Sequence, residues 1–158
     1  MRFVDRIVIH CSATPPTMNI GVNTIRGWHV NERGWTDVGY HYVVLRNGSI
    51  QEGRDVHRTG SHAYGYNKTS IGVCYIGGVD KDMQPEDNRT ESQKDSLYRL
   101  INRLMRMYPD IKYVCGHRDL PGVTKACPSF DVKEWLNEED NKGNADRCVA
   151  KGKGSERI

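Results

Sequence analysis

Among the six histidines and five cysteines of this 158-residue chain, three stand where they could act together. His10 closes a run rich in β-branched residues, Phe3 to His10. His117 lies two residues past a second such run, Ile111 to Cys115, and Cys127 follows ten residues later. If the two runs are neighbouring strands, the three side chains converge at one edge of a sheet. Two imidazoles and one thiolate form a catalytic zinc set that leaves a fourth position for water or substrate. Zinc can lower the pKa of a water to about 7 and polarise a carbonyl, which is what amide hydrolysis requires. The developing oxyanion also needs donors, and Tyr40 and Lys125 are the candidates in loops that could pack nearby. Two other readings stay open on the residues alone. In one, the groups are unrelated: a hydrogen-bonded histidine, a cysteine used as a small core hydrophobe, Tyr40 as packing and Lys125 as a solvated lysine. In the other, Cys127 paired with His117 is a low-pKa nucleophile that forms an acyl-enzyme without metal, sensitive to alkylation and indifferent to chelators.

The remaining candidates are weaker. Cys11 adjoins His10 and points to the opposite face of the strand, into the core. His29 sits mid-helix beside Trp28 and is expected to be partly exposed. No Gly-x-Gly-x-x-Gly or Gly-Lys-Ser/Thr pattern supports a nucleotide cofactor. With 23 Lys and Arg against 20 Asp and Glu, the net charge of +3 is too small and too mixed to argue for nucleic-acid binding. An odd number of cysteines without a Cys-x-x-Cys pair fits neither a disulfide framework nor a four-thiolate zinc site, so a reducing compartment is expected. The N-terminal apolar run is too short for a signal peptide, and no stretch approaches the roughly 18 apolar residues of a membrane span. The chain is therefore expected to carry no export signal and to insert in no membrane.

The elements that must position these residues follow from the same pattern. At this length a single domain with its own core is expected. Asn23 is placed to cap a helix carrying Ile25, Trp28 and Val30 and stopped by Gly34. His41 to Arg46 and Ser49 to Glu52 flank Asn47-Gly48, the residues of a type I′ hairpin turn. A long polar loop, Arg54 to Lys68, precedes a strand at Ile71 to Ile76. Thr90-x-x-Gln93 is a capping box, and Leu97, Leu100, Ile101, Leu104 and Tyr108 follow at helical spacing until Pro109. A last helix begins at Asp131 and turns Trp135 and Leu136 inward. Past Asn137 the apolar pattern stops, and residues 138–158 are expected to be a disordered tail. Strands interleaved with helices, plus one hairpin, predict an α/β domain with a central mixed β-sheet flanked by helices.

Six motifs extend this reading: Ile7-Val8-Ile9-His10-Cys11-Ser12-Ala13-Thr14, Gly34-Trp35-Thr36-Asp37-Val38-Gly39-Tyr40-His41-Tyr42, Gly60-Ser61-His62-Ala63, Asn67-Lys68-Thr69-Ser70-Ile71-Gly72-Val73, Gly116-His117-Arg118-Asp119 and Lys125-Ala126-Cys127-Pro128-Ser129-Phe130-Asp131. In this order they resemble the zinc-dependent N-acetylmuramoyl-L-alanine amidases of the phage-lysozyme type, the family shared with the peptidoglycan recognition proteins. The resemblance covers about residues 3–137, within an expected catalytic domain of residues 1–137. It implies a sheet flanked by helices with zinc in a surface groove at the sheet edge. It also implies hydrolysis of the amide between N-acetylmuramic acid and L-alanine in peptidoglycan. Carried over by motif, His10, His117 and Cys127 would ligate one zinc ion, Tyr40 and Lys125 would assist catalysis, and His62 would contact substrate. A phage or prophage endolysin is implied, monomeric, with peptidoglycan and no nucleic acid as partner, made in the cytoplasm and acting on the wall after release. The alternative is a non-catalytic peptidoglycan-recognition module, which the presence of all three ligand residues and Tyr40 disfavours. The segment Asp119 to Val123 is longer than the phage pattern and is expected to reshape one groove wall.

Overall fold

The computed structural model describes residues 2–142. The first β-branched run becomes the strand β1 (Arg6–Cys11), which pairs in parallel on both sides. One neighbour is β4 (Ser70–Tyr75), and the other is β5 (Tyr113–Gly116). The sheet continues from β4 through β2 (Tyr42–Val44), also parallel, to β3 (Ile50–Glu52), which pairs with β2 antiparallel at the edge. The result is the expected mixed sheet, in the order β3-β2-β4-β1-β5.

Among the described residues three α-helices cover it: α1 (Val22–Gly27), α2 (Glu91–Met107) and α3 (Val132–Asn141). Alternation along β1 sorts its side chains by face. Ile7, Ile9 and Cys11 join Leu97, Leu100, Ile101 and Leu104 of α2 and Trp135 and Leu136 of α3 in one core cluster. On the other face Val8 packs with Ala63, Cys115 and Leu120, while Val22 and Ile25 of α1 pack against Val43 and Cys74. Cys11 is thus in the core, as its place beside His10 predicts. Among the described residues no helix is long and apolar enough to cross a membrane.

Three local expectations are corrected. The hairpin does not close with a type I′ turn, which would need positive φ at both Asn47 and Gly48. Only Gly48 takes positive φ there (+89°), the Gly48 N–H donates to the Leu45 carbonyl, and the Leu45 N–H donates to that of Ser49. This is a three-residue loop, and Asn47 serves it by accepting the Ser49 N–H on Oδ1 at 2.9 Å. Secondly, Asn23 does not cap α1. Gly21 occupies the cap position, the Val22 N–H is satisfied by Gln51 Oε1 of β3 at 2.7 Å, and Asn23 Oδ1 instead accepts from Arg26. Beyond Gly27 the chain widens into a π-helix, Trp28–Glu32, which buries His29 to 8% exposure where partial exposure was expected. Thirdly, α3 does not stop at Asn137. Residues 138–141 continue it, and Asp140 accepts the Tyr98 hydroxyl of α2 at 2.8 Å. A polar contact, invisible to apolar periodicity, extends the helix; the rest of the expected tail, 143–158, lies outside the described residues.

Candidate active site

The parallel strands β1 and β5 end side by side, with Ile9 in register with Gly116. His10 therefore stands next to His117, which opens a short 3-10 turn, and their ring centroids are 4.6 Å apart. The Asp119 carboxylate secures that turn by accepting the Gly116 N–H at 2.8 Å. Cys127 arrives from the following loop, which is tied down at several points. The Arg118 N–H donates to the Cys127 carbonyl, the Tyr75 hydroxyl to that of Pro128, and the Ser129 hydroxyl to that of Gly78. The donor atoms of His10, His117 and Cys127 all lie within 4.8 Å of one another. They face a surface cavity of about 240 Å³ that Tyr40, Lys125 and His62 also line. All six residues singled out from the sequence are thus brought together.

Two ring nitrogens and one sulfur at this spacing suit a borderline-soft divalent cation with a coordination position left open. The surrounding hydrogen bonds fit that use. His10 Nδ1 lies 3.9 Å from Cys127 Sγ, while its Nε2 lies 2.9 Å from His62 Nδ1. For Nδ1 to offer a lone pair to a metal, the ring proton must sit on Nε2 and be donated to His62. His62 then carries its own proton on Nε2, 3.2 Å from the Ser70 hydroxyl oxygen. Both ring nitrogens of His62, the residue expected at the substrate, are engaged behind the metal-capable group. Gly72 makes room for it, since a Cβ there would lie 2.6 Å from His62 Cγ.

Electrostatics keep these groups in the required forms. Burial, then the neighbouring histidines, push His10 and His62 well below the ordinary imidazole range, so both stay neutral. His117 is lowered by burial and by the nearby Lys125 charge. Burial raises Tyr40 well above the usual phenol value, with the cysteines nearby adding to the rise, so it keeps its proton. The hydrogen bond with the Cys11 side chain, followed by burial, pushes the Cys127 thiol up. A bound cation reverses that preference by paying for the thiolate. The backbone N–H of Cys11, 3.3 Å from Cys127 Sγ, is ready to stabilise it.

Tyr40 is held by its backbone and by the residue before it. The Arg54 N–H donates to the Tyr40 carbonyl at 2.8 Å, and the Gly39 N–H donates to His29 Nδ1 at 2.8 Å. The Tyr40 ring lies 5.0 Å from that of His10. His29, set aside on the sequence as partly exposed, instead lines the cavity and is held neutral by burial, which brings its pKa to about 4. Nothing in helical spacing marks it, because the π turn rotates it inward without altering the apolar pattern.

Comparison with known proteins identifies the family of the chain. The sequence profile of the N-acetylmuramoyl-L-alanine amidases matches residues 1–130. The chain belongs to this family. The endolysin of Escherichia phage T7 is 46% identical to the amidase over 136 residues, 86% of this chain and 87% of that protein. The endolysin of Klebsiella phage KP32 is 45% identical over 136 residues with the same coverage of both chains. Among solved structures, the N-acetylmuramoyl-L-alanine amidase LysC of Clostridium intestinale superposes with a TM-score of 0.75 at 28% identity, covering 89% of this chain and 87% of its own. Bumblebee PGRP-SA shares the fold, with a TM-score of 0.71 at 23% identity over 87% of this chain and 82% of its own. The amidase is of the phage-lysozyme type, and peptidoglycan is the substrate that fits it.

Proposed function

We propose that the amidase is an endolysin that hydrolyses the amide between the lactyl group of N-acetylmuramic acid and L-alanine, with one zinc ion held by His10, His117 and Cys127. The observation that carries this is the convergence of three donor atoms within 4.8 Å on a cavity that Tyr40 and Lys125 share. Zinc at that position would supply Lewis acidity toward the carbonyl and a lowered pKa for an attacking water. The chain's own residues do the rest. His62 accepts the His10 Nε2 proton and so keeps His10 Nδ1 aimed forward. Tyr40, held protonated, donates a hydrogen bond to the scissile carbonyl oxygen as negative charge develops on it. The Lys125 ammonium brings a positive charge to the same cavity. A cysteine nucleophile, by contrast, would lose activity on alkylation and keep it after removal of metal. The amidase acts as a monomer, made in the cytoplasm and reaching the wall after release.

Alanine at Cys127 is expected to abolish both zinc retention and hydrolysis, measured by metal analysis and by release of stem peptides. Tyr40→Phe is expected to keep zinc and to lower turnover by roughly a hundredfold. Full zinc content and full rate in Cys127→Ala would overturn the ligand assignment.

A further inference from the structure

We infer that Arg33 binds a carboxylate of the stem peptide and is a specificity-determining residue on the wall of the catalytic groove. This rests on the peptidoglycan reading above. The π-helix Trp28–Glu32 ends in a closed turn in which the Trp35 N–H returns to the His29 carbonyl at 3.0 Å. That closure brings His29, Arg33 and Trp35 to the cavity that holds the metal-capable group. His29 and Arg33 also line an adjoining cavity of about 130 Å³, which shares Ser12 and Tyr40 with the first. Arg33 is exposed, its guanidinium lies 5.3 Å from the centre of the Trp35 ring, and among the described residues it has no carboxylate within ion-pair distance.

The surroundings specify the sign of the ligand. Among the described residues no Asp or Glu lines either groove cavity, and Lys125 adds a second cation to the larger one. Other surface cavities of the molecule are built differently: Glu52 and Asp55 line one, and Asp87, Asp131 and Glu134 line another. The two cations without an acidic neighbour in the groove lining favour an anion. In a muramoyl peptide the sugar presents neutral hydroxyl and acetamido groups, and the lactyl carboxyl is consumed in the scissile amide. The formal negative charges belong to the stem peptide. A guanidinium steadied on an aromatic face offers the planar fork that a carboxylate accepts in two parallel hydrogen bonds.

The test uses the zinc-loaded full chain and two synthetic muramoyl peptides, one with free stem carboxylates and one with those carboxylates amidated. The wild type is expected to show a KM about tenfold lower for the free form. Arg33→Gln is expected to remove most of that difference by raising KM on the free form, and Arg33→Lys to restore part of it. A parallel titration follows tryptophan fluorescence as the stem peptides alone, free or amidated, bind wild type and Arg33→Gln. Arg33-dependent preference for the free peptide without cleavage of either muramoyl peptide would uphold the carboxylate site and overturn the amidase reading. Cleavage with equal KM for both forms, or equal losses on both in Arg33→Gln, would overturn the carboxylate site and leave the amidase standing. Displacement of the peptide by inorganic phosphate at comparable concentration would show a general anion site and also overturn it.

Discussion

At the metal-capable group, the two nitrogens of His10 have separate duties, Nδ1 toward Cys127 and Nε2 toward His62. A residue that fixes the orientation and tautomer of a ligating histidine typically affects metal affinity by 10–100-fold. His62→Ala is therefore expected to weaken zinc binding by roughly tenfold or more. His62→Gln, which can still accept the His10 proton, should lose less. Competition with a chromogenic chelator measures both, and wild-type affinity in His62→Ala would rule out the positioning role. His10 and His117 were legible in the sequence because each stands at or just past a strand end, where parallel strands deliver side chains to one edge, whereas Cys127, in the loop ten residues further on, was legible chiefly through its motif. The duty of His62 was not legible. Its motif places it in a loop near the site, but only the fold reveals that Ser70 and His10 occupy both of its nitrogens.

The elements were legible where the signal is local. Thr90 and Gln93 form the capping box their spacing predicts, with the Thr90 hydroxyl accepting the Gln93 N–H at 3.0 Å and Gln93 Oε1 accepting the Thr90 N–H at 3.0 Å. They were not legible where a partner from elsewhere decides. The start of α1 depends on Gln51 from β3, and the end of α3 on Tyr98 from α2. The hairpin was placed correctly, but its turn type was not, because Asn47 is better used as an acceptor than at positive φ. Gly48 carries the whole left-handed requirement of that turn, and a Cβ on it would lie 2.9 Å from Ser92 on α2. Gly48→Ala is expected to destabilise the fold by about 1–2 kcal/mol in urea unfolding while leaving zinc content unchanged. An unchanged midpoint would show that the turn relaxes to another type.

For the molecule as a whole, buried neutral histidines couple stability to pH. His41 accepts the Gly72 N–H on Nδ1 at 3.0 Å, and its Nε2 lies 2.8 Å from the Arg58 carbonyl. Burial lowers its pKa from 6.5 to about 4, and Arg2 and Arg54 act in the same direction while the Arg58 hydrogen bond and Asp55 oppose it. Below pH 6.5 the unfolded chain takes up a proton at this residue that the folded chain refuses. Stability is therefore fully present above 6.5 and is lost as pH falls toward 4, by up to about 1.4 kcal/mol per pH unit for this group. His10 and His62 shift in the same direction. Urea midpoints of the metal-free protein should fall through that window, and His41→Gln should flatten the slope. A midpoint independent of pH would contradict the buried neutral assignments.

The decisive experiment is digestion of purified peptidoglycan by the full chain, with chelator, without it, and after zinc is restored, with the products read by mass spectrometry. Stem peptides beginning at a free L-alanine amine, lost with chelator and recovered with zinc, are the predicted result. Intact polymer under every condition, or hydrolysis that survives complete removal of metal, would contradict a zinc amidase built on His10, His117 and Cys127.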